Sequence, residues 1–233
     1  MARGRELARS LTIACALAAL WALSFPRPYA LIVPILGVLP WVTIELARRH
    51  GGTFEWSSDP IGIRPNFLPS LLLPAISLYA TRRGFHFDGS AAVVWVSGGI
   101  ATLTFIWVIA IDPIARSKVG SVIGLLLVSA LYGGGTASAS NILLDVSPGT
   151  RFTPAVVTKR VFHRRKGDWY LVTLEPWGAE RFGDVLYVSR DTYARIQPGW
   201  RAVITIHPGA LGASWYTVDG WERVGRTSIG GPR

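Results

Sequence analysis

The sequence predicts a membrane α-helical bundle of about five transmembrane helices, followed by a C-terminal small all-β domain of the SH3-like or OB-like barrel type. Three observations predict it. The chain of 233 residues is 50% hydrophobic and 16% charged, with mean hydropathy +0.34, against about 25% charged in soluble proteins. The deficit is uneven, because residues 1–144 carry only 11 of the 24 Lys and Arg and 6 of the 14 Asp and Glu. The hydrophobic period also changes near residue 145, from long apolar runs to short alternating ones. The expected boundaries are a helical region at 1–145, a soluble β domain at 146–219 and a tail at 220–233.

The first run, near 10–25, follows the basic residues Arg3, Arg5 and Arg9. A basic start and an apolar core also describe a secretory signal. No good small-x-small cleavage site precedes Pro26 and more spans follow, so an uncleaved first span is expected. Cys15 lies in this run, is the one cysteine, and reports no redox compartment. The second span, near 29–46, contains Pro34 and Pro40, which a bundle tolerates when neighbouring helices re-satisfy the backbone. A polar connection follows, with a short strand at Thr53–Trp56 as one reading and irregular loop as the other. Its His50, Glu55 and Asp59 match no metal-ligand spacing.

The third run, near 67–81, is short and contains Pro69 and Pro74. Runs of this length cross, re-enter or lie at the interface. A crossing is expected, and the side of the β domain depends on it. Ser90 is set to cap the fourth span, 91–111, where Gly98-Gly99 is a candidate close-packing point and Asp112-Pro113 the stop. The fifth span, near 119–140, has no charge from Val119 to Ala139. Its small residues Gly133, Gly134, Gly135 and Ala139 form a packing face for another helix, mostly of the same chain, or for a second copy in a homo-oligomer. With a cytoplasmic N-terminus, eight basic residues (Arg3, Arg5, Arg9, Arg48, Arg49, Arg64, Arg116, Lys118) fall inside and Arg27, Arg82 and Arg83 outside. That agrees with the positive-inside rule and places the β domain in the periplasm of a bacterial inner membrane.

Beyond the linker Val146–Gly149, residues 155–163 and 169–174 read as a β-hairpin around a basic turn. Strands are expected at 185–188, 201–207 and 214–218. A short helix capped by Ser189 and a Pro208–Gly212 turn needing glycine freedom lie among them. Trp169, Tyr170, Tyr187, Trp200, Trp215 and Tyr216 are expected in the core. Trp221 is expected to cover the barrel, with the rest of the tail disordered.

The stretches NILLDVSP, EPW, VSRDTYARIQPG and HPGALGASWY, within roughly Asn141–Val218, resemble uncharacterised bacterial, proteobacterial-type multi-pass inner-membrane proteins. Those chains pair several helices with a small C-terminal β domain. The resemblance implies the boundary and the membrane setting. It implies no activity, so no functional residue is carried over.

The net charge of +10 suggests nucleic acid at first sight, yet +5 of it flanks apolar runs and follows topology. No nucleic-acid partner is expected. None of the four histidines sits in a span, and no Gly-x-Ser-x-Gly, His-Glu-x-x-His or phosphate loop occurs. No catalytic, cofactor or metal residue is expected, and no enzymatic activity. A membrane-tethered binding or assembly module is the expectation, with the bilayer and a membrane or periplasmic protein as partners. The alternative is a subunit of an oligomeric transporter or channel, though no span carries an interior charge. A membrane-bound hydrolase ranks lower. The candidate surface is Lys159, Arg160, Arg164, Arg165 and Lys166, for anionic lipid or an acidic partner. Against it stands the plainer reading of a solvated basic turn.

Overall fold

The computed structural model describes residues 2–24, 29–54, 64–81, 86–87, 90–165, 167–178, 185–223 and 226–230. The chain divides into two compact units. One is helical and comprises Met1–Gly84, Gly89–Val146 and Gly209–Ala213; the other is the β unit, Phe85–Asp88, Ser147–Pro208 and Ser214–Arg233.

Four helices are long and apolar enough to cross a membrane. They are α1 (Ala2–Ser24), α2 (Tyr29–His50), α4 (Ala91–Ile111) and α6 (Val119–Leu143), joined by a shorter α3 (Leu68–Ala80) and α5 (Pro113–Ser117). The surface of α4 is apolar, with Val94, Trp95 and Leu103 all more than 60% exposed. A face of that kind is stable in lipid and costly in water. Three hydroxyls inside the helices are satisfied within their own helix. Thr43, Ser77 and Thr104 donate to the carbonyls of Leu39, Leu73 and Ile100 at 2.8–2.9 Å.

The third run has 13 helical residues, of which Leu68, Ser70, Leu71, Pro74, Ala75, Ser77 and Leu78 are buried. It packs among α1, α2 and α6. Phe67 N–H donates to Thr53 O at 2.9 Å, just past the end of α2. Tyr29 Oη, at the start of α2, donates to Thr81 O at 3.0 Å. So α3 returns along α2 from its finish to its beginning, although its helix is only about 20 Å long. One face of it is covered by protein while Ile76 and Tyr79 are exposed, and irregular backbone at its ends finds partners in the chain. Of the short strand expected at Thr53–Trp56, Thr53 forms a single bridge to Asn66, and Trp56 lies outside the described residues. Glu55, Asp59 and the remainder of that loop lie outside the described residues.

The small-residue face of α6 packs within the chain. A Cβ on Gly133 would lie 2.3 Å from Ser97 O of α4, and one on Gly135 would lie 2.7 Å from Tyr79 N of α3. Ala139 is buried and Gly134 alone of the four meets open space. The close-packing point expected at Gly98-Gly99 is not one, since a Cβ on either would meet nothing within 4 Å. The opposing helix approaches at Ser97 and Ala101 instead.

The β unit contains two sheets, without closure into a barrel. One has the order β1 (His86–Phe87), β7 (Trp215–Arg223), β6 (Arg201–His207), β2 (Thr150–Phe152), with β8 (Arg226–Gly230) also on β7. The other is β3 (Val156–Phe162), β4 (Trp169–Leu174), β5 (Val185–Val188), followed by the short helix α7 (Arg190–Arg195). The strands at 185–188 and 201–207 stand where the alternation placed them. β7 runs five residues past Val218, and with β8 it gives structure to a tail expected to be disordered. The two sheets meet at Ala155, which bridges Arg201, while Val156 N–H donates to Trp200 O at 2.7 Å. Between them lie Val156, Val172, Leu174, Trp177, Leu186, Ile196, Ala202, Ile204, Tyr216 and Trp221. Burial there pushes the Tyr216 phenol up to about 12.

Candidate functional site: the outer face of the hairpin sheet

β3 and β4 pair from Val156–Leu174 to Phe162–Trp169, and β4 and β5 from Thr173–Val185 to Tyr170–Val188. Directly opposite residues in an antiparallel pair share a face. Val172, Leu174 and Leu186 therefore point into the core with Lys159, Val161, Tyr170 and Val188. The other face carries Arg160, Phe162, Trp169, Leu171, Val185 and Tyr187. On it Phe162, Trp169 and Tyr187 are 53%, 43% and 61% exposed. Trp169 meets Tyr187 edge to face, with centroids 5.5 Å apart. The Arg164 guanidinium lies 4.1 Å over the Trp169 ring, a cation–π contact that holds the cation against the aromatic face.

The five basic residues expected to form one surface therefore separate. Lys159 points inward. Its ammonium donates to Tyr193 O and, at 2.6 Å, to Ile196 O, and sits 4.1 Å over the Tyr193 ring. That lysine caps α7 and belongs to the fold. Arg160 is exposed on the outer face, Arg164 is exposed and stacked, and Arg165 is exposed in the turn. Lys166 lies outside the described residues. The turn closes through Gly167 N–H to Arg164 O at 3.0 Å, and His163 Nδ1 pairs with Asp168 Oδ1 at 2.9 Å.

Two aromatics expected in the core, Trp169 and Tyr187, are on this surface instead. Trp177 and Trp221 take core positions, with Trp177 edge-on to Tyr216 at 4.9 Å. The signal was available in part. Alternation puts Trp169 with Leu171 and Thr173, but which face is buried depends on the register with β5 and on the other sheet. Nothing in the spacing marks EPW as a core segment. No group of three or more His, Cys, Asp or Glu able to hold a metal occurs among the described residues.

These features define a class: a chain with helices suited to a bilayer, joined to a two-sheet β unit that shows an aromatic and arginine face. No protein family matches the chain, and neither curated proteins nor solved structures give a significant match.

Proposed function

We propose that the protein is a membrane-tethered binding module of a bacterial inner membrane, and that the outer face of β3-β4-β5 contacts anionic lipid headgroups. The observation that carries this reading is the exposure of Phe162, Trp169 and Tyr187 beside Arg160 and Arg164. Aromatic rings prefer the membrane–water interface. Each nearby cation adds roughly 1 kcal/mol at an anionic surface, a contribution that salt screens. The proposed topology has five crossings, α3 included, and a periplasmic β unit. The return of α3 along α2 supports the odd count.

The test places an environment-sensitive fluorophore at position 162, as Phe162→Cys, in the full chain reconstituted in nanodiscs. Phosphatidylglycerol should shift its emission to the blue, and phosphatidylcholine should not. The triple variant Arg160→Glu, Arg164→Glu, Arg165→Glu should lose the shift. Equal emission in both lipids at low salt would remove the lipid reading and leave an acidic protein partner as the alternative.

A further inference from the structure

A cleft of about 470 Å³ opens at one end of the helical unit, and Arg3, His50, Gly51, Arg64 and Asp112 are among the residues that line it. Four segments distant in sequence build it: the first turn of α1, the end of α2 with its turn, the approach to α3, and the α4–α5 junction. Its volume is that of a small-molecule site.

Among the described residues, the charge this cleft leaves unpaired is positive. Asp112 is its one carboxylate among the lining residues, and it is 1% exposed. Both its oxygens are engaged: Oδ2 accepts from Phe54 N–H at 2.7 Å, and Oδ1 from the N–H groups of Ile114 and Ala115 at 3.0 and 3.1 Å. That carboxylate builds the junction and ties it to the turn after α2. Arg3 and Arg64 are exposed and make no ion pair among the described residues. His50 Nδ1 donates to Leu46 O at 3.0 Å, which holds the ring against its own helix at the rim of the cleft. Arg48 and Arg49, close by in sequence, are neutralised differently, both bound to Glu45 at 2.7 Å. In the wall of the cleft Gly51 adopts φ +57°, which L residues resist.

We infer that this cleft binds a phosphate-bearing anion, the group shared by an anionic lipid headgroup and a soluble phosphate ester, with Arg3 and Arg64 as its cationic clamp. Two guanidiniums from separate elements suit the several oxygens of a phosphate better than one point charge does. This inference does not rest on the β-unit reading and uses different residues.

The experiment uses the full chain in detergent. One arm titrates inorganic phosphate calorimetrically. The other measures, by native mass spectrometry, retention of added phosphatidylglycerol against phosphatidylcholine. Arg3→Gln with Arg64→Gln should weaken whichever ligand binds by roughly tenfold to thirtyfold. Preference for phosphatidylglycerol without phosphate binding identifies a lipid headgroup, and saturable phosphate binding identifies the soluble source. Arg49→Gln, at the same end but outside the cleft, should leave binding unchanged. So should the triple outer-face variant of the β unit. Thermal melting of each variant checks that it is folded. Absence of both ligands from the native chain would overturn the inference, as would equal loss in Arg49→Gln or full binding by the folded double variant.

Discussion

At the scale of single residues, the join between the last long helix and the turn after β6 is made by two side chains. Asn141 is wholly buried; its Nδ2 donates to Ala213 O and its Oδ1 accepts from Leu211 N–H, both at 2.8 Å. Asp145 Oδ2 accepts from Gly209 N–H at 2.8 Å, and Ser90, the cap of α4, donates to Leu211 O at 2.9 Å. The turn 209–213 thus belongs to the helical unit although both its neighbours are strands. Gly209 adopts φ +74°, and a Cβ there would lie 2.2 Å from Ala213 O and 2.5 Å from Asn141. Gly212 adopts φ +70° with open space around it. Gly209→Ala should therefore destabilise by about 3 kcal/mol or more, and Gly212→Ala by about 1 kcal/mol, the cost of a left-handed backbone alone. Melting temperatures of the two variants in detergent check this, and equal losses would mean that crowding at Gly209 is relieved by movement. The two quoted stretches NILLDVSP and HPGALGASWY meet here, a reason for Asn, Asp and Gly in them that linear spacing does not reveal.

Elements come next, and glycine on α6 is the clearest case. Gly133 and Gly135 each permit a neighbouring helix backbone to come within reach, one from α4 and one from α3, while Gly134 between them faces open space. Lipid tails give no hydrophobic drive for association, so helix contact depends on this closeness. Gly133→Ala must push Ser97 and Ala101 away and should cost about 1–3 kcal/mol. Gly134→Ala should be neutral or stabilising by up to about 1 kcal/mol, from helix propensity. Detergent-resistant folding of the pair, followed by helix content against temperature, separates them. The same logic explains why α4 has little of itself buried beyond Thr104 and Val108. Its buried residues lie along one strip, and the rest of its surface is apolar and suited to lipid.

For the whole molecule, the consequential quantity is the number of crossings, because it decides which compartment receives the β unit. A phosphatase fused after Arg83 should be active in the periplasm, and one fused after Arg233 should be active too. An inactive second fusion would place the β unit in the cytoplasm and remove α3 from the count. In the proposed inner-membrane setting the binding proposals survive either outcome, since anionic lipid is present on both faces of such a membrane and the cleft lies at the end of the helical unit away from Thr81.

Composition and periodicity determined most of the architecture without a structure. Apolar runs of sufficient length have one stable environment, and alternation with turn residues has another. The four long helices, the Ser90 and Ser189 caps, the Asp112 stop and the β3–β4 hairpin were legible because each depends on neighbours in sequence. The candidate surfaces were not. Lys159 and Arg160 are adjacent, yet strand pleat and pairing register send one to cap α7 and the other to solvent. Trp169 and Trp177 are alike in composition, and only the second sheet decides which is core. Arg3, His50 and Arg64 share a cleft because three turns of chain converge there. Local preference is written along the chain, whereas a site is a coincidence of segments in space, and it exists only once packing has chosen among faces that are locally equivalent.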